Sequence, residues 1–272
     1  MALAFFRAKV YLFGTMKKFL STLMLLSAIL TTGAAIHTEN VEYKQGDTVL
    51  EGFLAYDDST TAKRPGVLVV HQWLGLTKYE KHRAEMLAQL GYVAFCADIY
   101  GKDNQPKSVK EAGPLSSKFK ADRMLLRARA NAGLDVLRQQ PLVDSQKIAA
   151  IGYCFGGTTV IELARSGADI AGVVSFHGGL DSPTPADGKN IKCKVLALAG
   201  ADDPFQNPDD LAAFEKEMRD TKVDWQITFY GGAVHAFTQP NPGFVNAGAK
   251  YNEKADRRSW QAMNNFFGEI FK

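Results

Sequence analysis

The chain has 272 residues, 46% of them hydrophobic and 22% charged, which is enough apolar material for a sizeable core and too much for a disordered chain. Its formal charge of +3 originates in the first 35 residues, where Arg7, Lys9, Lys17 and Lys18 stand without any acid; the other 28 basic and 29 acidic residues net −1. The body therefore lacks the charge signature of a nucleic-acid or anionic-membrane binder.

Residues 1–35 read as a leader. Lys17 and Lys18 form a positive region, the 12 residues Phe19 to Leu30 are mainly apolar, and Thr32, Gly33, Ala34 and Ala35 offer a small-residue cleavage site. Such a run is too short to span a bilayer. These features predict a secretory signal peptide with a true start at Met16 and a mature chain beginning near Ile36, secreted or periplasmic and without stable membrane association. The competing reading is an uncleaved N-terminal anchor. Cys96, Cys154 and Cys193 are an odd number of cysteines, so at least one thiol stays free or pairs between chains.

Residues 36–272 predict a single domain. Asn40 to Tyr56 alternates around Gly46 and Asp47 and predicts an antiparallel hairpin. Val67 to Val70 is a short apolar strand, Tyr79 to Leu90 has helical spacing, and Tyr92 to Ala97 is apolar again. Further helices are expected around Asp122 to Arg138, from Gly156, at Pro208 to Arg219 and near Ala247 to Phe267. Strands are expected at Lys147 to Ile151, Ile170 to Ser175, Val195 to Ala199 and Asp224 to Tyr230. Alternation of this kind predicts a doubly wound, mostly parallel α/β sheet. The polar stretches Lys102 to Lys118 and Asp181 to Asn190 carry Gly and Pro and read as loops.

The chemistry centres on Gly152-Tyr153-Cys154-Phe155-Gly156-Gly157, which lies between a strand and a helix. A nucleophile at such a strained turn needs small neighbours two residues before and after it, and Gly152 and Gly156 provide them. A helix N-terminus also favours the thiolate. An acid and a histidine should follow on loops after later strands. Asp203, in Gly200-Ala201-Asp202-Asp203-Pro204, and His235, in Gly231-Gly232-Ala233-Val234-His235, occupy such places. Asp202 and His177 are the competing candidates. His71 is expected at the pocket wall, Asp98 as a support of loop geometry, and His37 and His82 as structural or solvated.

The segments Gly152 to Gly157, His71-Gln72-Trp73-Leu74-Gly75-Leu76 and Leu90 to Gly101, with the contexts of Asp203 and His235, resemble the dienelactone hydrolase family of α/β-hydrolases from about Val41 to Phe271. The resemblance implies an α/β-hydrolase fold, a Cys154-Asp203-His235 triad, an oxyanion hole from the backbone N–H groups of Trp73 and Phe155, and neither metal nor organic cofactor. It also implies substrate-facing positions at Gln72, Lys102 and Gln239, where dienelactone-hydrolysing members carry a glutamate and two arginines. A neutral amide cannot accept a thiol proton, and an incomplete arginine pair grips a carboxylate less firmly. The expectation is thus a hydrolase of carboxylic esters or lactones, with neutral or weakly anionic substrates favoured over small lactones bearing a free carboxylate. A broad carboxylesterase and a thiol redox or sensor protein using Cys154 are the alternatives.

Overall fold

A computed structural model of the chain describes residues 35–241 and 248–272. The expected leader lies outside these residues except for Ala35, as does Ala247, the expected start of the last helix. The strands are β1 (Ile36–Gln45), β2 (Thr48–Asp57), β3 (Arg64–Val70), β4 (Val93–Ala97), β5 (Val143–Tyr153), β6 (Gly172–Phe176), β7 (Lys194–Gly200) and β8 (Trp225–Tyr230). The helices are α1 (Lys78–Gln89), α2 (Val109–Ala121), α3 (Arg123–Arg138), α4 (Phe155–Arg165), α5 (Pro208–Thr221) and α6 (Glu253–Ile270).

These strands form one sheet in the order β1-β2-β4-β3-β5-β6-β7-β8. The β1–β2 hairpin turns at Gly46 and Asp47, with Gly46 at φ 57°, and pairs Gln45 with Thr48. Strand β2 runs antiparallel to β4, and every pairing from β4 through β3 to β8 is parallel. This is an α/β-hydrolase fold with antiparallel N-terminal strands.

The parallel strands are apolar throughout because both faces are covered. Ile148 and Ala150 of β5 pack on the side of α3, α4 and α5, with Leu134, Val160 and Phe214. The alternate residues Ala149, Ile151 and Tyr153 pack on the side of α1 and α6, with Leu87 and Phe267. Cys154, Asp203 and His235 sit on connections leaving the C-terminal ends of β5, β7 and β8, and the competing His177 leaves β6, all at the edge where open α/β sheets bind ligands.

One expectation needs correction. Lys102 to Lys118 is not a loop: after a 3-10 turn at Lys102–Asn104 it enters α2, which runs on to Ala121. Gly113 and Pro114 look like breakers but lie inside that helix, which Ser108 caps by accepting from the Glu111 backbone N–H. The second polar stretch, Asp181 to Asn190, likewise closes in a 3-10 helix at Pro185–Asn190.

Candidate active site

Cys154 occupies the turn between β5 and α4 with φ 53° and ψ −113°, a conformation costly for any residue with a Cβ. The geometry around it explains the glycines. A Cβ at Gly152 would run into the Gly156 carbonyl, and one at Gly156 into the carbonyls of Val70 and His71. The turn is pinned to the sheet by the Cys154 N–H, which donates to Phe176 O at 2.9 Å.

His235 lies on the loop after β8, its Nε2 3.1 Å from Cys154 Sγ and its Nδ1 2.8 Å from Asp203 Oδ2. The other oxygen of Asp203 accepts from the Phe205 N–H at 2.9 Å. Asp202 takes no part: it is exposed, and its N–H donates to Ala233 O. Burial works against a charged imidazole at His235, but the Cys154 thiolate and the Asp203 carboxylate outweigh it and push the group up to about 10. Burial also works against the thiolate at Cys154. There the His235 imidazolium, then Lys120 and the Phe155 N–H, prevail and bring the thiol below its ordinary value. The two shifts have a common meaning: thiolate and imidazolium stabilise each other as an ion pair. Cys96 and Cys193 behave oppositely, since burial raises both thiols, the latter to about 12.

The segment from His71 to Thr77 forms the facing wall. His71 is fully buried rather than part of the cavity wall, which corrects the sequence expectation. Its Nε2 accepts from the Ile99 N–H at 3.2 Å, so Nδ1 carries the proton and donates to Gln72 O at 2.6 Å. Glu80, buried in the first turn of α1, accepts from the backbone N–H groups of Gln72 and Thr77 and from the Thr77 hydroxyl. Tyr100 Oη donates to Trp73 O at 2.9 Å. These bonds fix the backbone on either side of Trp73. Asp98 holds the next loop, its Oδ1 accepting from the N–H groups of Tyr100 and Gly101 and from Gln105 Nε2.

The cavity above Cys154 has a volume of about 300 Å³. Trp73, Phe155 and Phe205 supply its apolar walls, with Ser116, Lys120 and Gln206 at the polar margin and His177 beside His235. None of the three expected substrate-facing side chains lines it. Gln72 folds back so that its Oε1 accepts from the Leu74 N–H at 2.8 Å. Lys102 pairs with Glu42 and Glu51 on the β1–β2 hairpin. Gln239 is buried away from the cavity, its N–H donating to Ala236 O. Sequence reading missed Glu80 and Lys120. Thr77-Lys78-Tyr79-Glu80 has the capping-box spacing that would have signalled the first, and Ser108 with Glu111 would have signalled the helix that carries the second.

The fold and these side chains define an α/β-hydrolase-type enzyme. A family profile described as the dienelactone hydrolase family matches residues 50–271, and the chain belongs to that family; it is a hydrolase. A solved structure of a dienelactone hydrolase-like promiscuous phosphotriesterase from metagenomic libraries is 41% identical, with a TM-score of 0.84, covering 88% of this chain and 100% of that one. An uncharacterized protein of Caenorhabditis elegans is 35% identical over 152 residues, which are 54% of this chain and 94% of that protein. The dienelactone hydrolase of Anabaena variabilis, 20% identical with a TM-score of 0.65 over 87% of this chain and 99% of its own, shares the fold.

Proposed function

We propose that the chain hydrolyses small carboxylic esters or lactones with Cys154 as nucleophile. The observation that carries this reading is the unbroken hydrogen-bonded path Cys154–His235–Asp203 at the floor of the cavity. In the first half-reaction the thiolate attacks the carbonyl carbon and the carbonyl electron pair moves to oxygen, facing the backbone N–H groups of Phe155 and Trp73. Collapse expels the alkoxide, which takes the Nε2 proton of His235 and leaves a thioester. Neutral His235 then removes a proton from water as the water oxygen attacks. The C–S bond breaks, the acid departs, and thiolate and imidazolium are restored, with Asp203 orienting the ring throughout.

Amides fit less well, because the thiolate is a much better leaving group than an amine from the tetrahedral intermediate. Lys120 brings a cation to the cavity margin, although not from the position the resemblance implied, so esters with a carboxylate have a partner there. The preference for neutral substrates expected from Lys102 and Gln239 loses its basis. The 41% identical phosphotriesterase supports a second reaction at the same thiol, attack on the phosphorus of a neutral phosphotriester. Cys96 and Cys193 are buried with raised thiols, which leaves Cys154 without a resolving partner for the redox alternative. The basic, acid-free leader with its apolar run supports export and signal-peptide removal near Ile36.

The test is a screen of the protein lacking residues 1–35 against aryl esters, lactones and an aryl phosphotriester, with Cys154→Ala alongside. Ester or lactone turnover that disappears in Cys154→Ala, with mass spectrometry trapping an acyl group on Cys154, is the expected result. Turnover retained in the variant would overturn the assignment. N-terminal sequencing of the exported protein checks cleavage.

A further inference from the structure

Next to the path that moves the proton lies a second imidazole that does not use it. His177 leaves the end of β6 at φ 41°, is buried, and stands edge-on to the His235 ring with centroids 5.2 Å apart. Its Nε2 is 2.7 Å from Thr238 Oγ1, which is 2.7 Å from Tyr79 Oη. Arg83 closes the chain: Nε donates to Tyr79 Oη at 3.2 Å, and Nη2 donates to Thr238 O at 2.9 Å and to Asp256 Oδ1.

The direction of this chain follows from its cationic end. A guanidinium only donates, so Tyr79 Oη accepts from Arg83, and Thr238 Oγ1 is the acceptor within reach of the phenol proton. The Thr238 hydroxyl, having accepted from Tyr79, still has its own proton to give, and His177 Nε2 at 2.7 Å is an acceptor for it; a ring nitrogen that accepts leaves the proton on Nδ1, a buried atom with no hydrogen-bond partner among the described residues. We infer that Thr238 and Tyr79, anchored by Arg83, are positioning residues that lock His177 as the neutral Nδ1–H tautomer, so that the Cys154 proton has one destination, His235. This inference builds on the role of His235 proposed above.

The charges around His177 act in the same direction. Burial, then the His235 imidazolium and the Arg83 guanidinium, hold its basicity well below the ordinary histidine value. Of the other groups packed here, Tyr153 stands 6.2 Å away ring to ring, and Asp256 is engaged by Arg83. A second imidazolium beside His235 would repel it. A neutral ring with a fixed tautomer packs against it without competing.

Nitrogen-15 NMR of the histidine side chains in the leaderless protein reads the tautomer directly. The wild type should show His177 as Nδ1–H, without titration from about pH 5 to 9. Thr238→Val removes the hydroxyl at nearly constant shape. It should mix the tautomers and lower kcat/KM about fivefold, the equivalent of one neutral hydrogen bond, and Thr238→Ser should restore both. An Nε2–H tautomer in the wild type, or a Thr238→Val spectrum like that of the wild type, would overturn the lock. Should Thr238→Val not fold, the wild-type spectrum alone still decides. Because that spectrum involves no substrate, its outcome is separate from whether the substrate is an ester.

Discussion

Two short segments place the proposed nucleophile and base, and they resemble each other in sequence far more than in physics. Each follows a parallel strand and each has Gly-Gly close by: Gly156 and Gly157 in the first turn of α4 beside Cys154, Gly231 and Gly232 ahead of His235. The cysteine turn is held by steric exclusion, since a Cβ at Gly152 or Gly156 has no room. The histidine loop has open space at both of its glycines. What fixes His235 is backbone pairing to a distant segment, its N–H donating to Gly248 O at 3.1 Å and its carbonyl accepting from Lys250 at 2.9 Å. Asn252 adds two bonds, N–H to Phe237 O and Nδ2 to Gly232 O. Cys154 is therefore positioned by its immediate neighbours, and His235 by a segment that follows later in the chain.

The largest expected effect tests the steric half of this contrast. Gly156→Ala should destabilise the protein by about 3 kcal/mol, because the added methyl meets backbone carbonyls of the adjacent strand end, which cannot rotate away. Activity should fall at least a hundredfold, since a shift of about 1 Å at the nucleophile is enough for that. Urea unfolding and kcat/KM of the variant check both numbers. A variant of wild-type stability would show that the turn is not packed as tightly as these contacts require.

That contrast also explains which parts were legible in the sequence. The elbow could be read because its requirements are local: small residues at fixed offsets, a strand before and a helix after. Parallel strands such as Val67 to Val70 and Val93 to Ala97 could be read because burial on both faces leaves unbroken apolar runs. The order acid then histidine came from topology, and geometry selects Asp203 over Asp202 and His235 over His177. Helix α2 was not legible, since the Gly113-Pro114 pair outweighed a modest cap signal, and Lys120 was lost with it. That Gln72, Lys102 and Gln239 do not line the cavity was illegible for another reason. Where a side chain points depends on partners brought by the fold, here the Leu74 amide, Glu42 and Glu51 for the first two.

The second prediction concerns the charge shared by the two regions. The Cys154 thiol lies below its ordinary value and His235 is raised to about 10, so the ion pair should persist between those limits. On the acid side the thiolate takes up a proton and kcat/KM should fall about tenfold per pH unit; on the alkaline side His235 loses the proton that the leaving group needs, and the rate falls again. The acid limb should thus lie at lower pH than for an ordinary thiol, and the plateau that follows should end near pH 10. In Asp203→Asn the loss of the carboxylate should move the alkaline limb downward, because that charge helps hold the imidazolium. A rate that climbs steadily through pH 8 to 9, as for an ordinary thiol, would mean that no ion pair is preformed.

The smallest effect is expected at Gly231, and it separates the two regions most cleanly. No heavy atom lies within 4 Å of a Cβ built there, and its φ lies outside the left-handed region. Gly231→Ala should therefore restrict the unfolded chain without straining the folded one, raising stability by about 0.4 to 1 kcal/mol. Its neighbour differs in one respect. Gly232 has as much space but sits at φ 75°, so Gly232→Ala should cost about 1 to 2 kcal/mol through backbone strain alone. In both variants kcat/KM should stay within about twofold of wild type, since the bonds to Gly248 and Lys250 carry His235 whatever the turn ahead of it contains. A large activity loss in Gly231→Ala would mean that the histidine loop, like the cysteine turn, is positioned by close packing, and the distinction between the two regions would collapse.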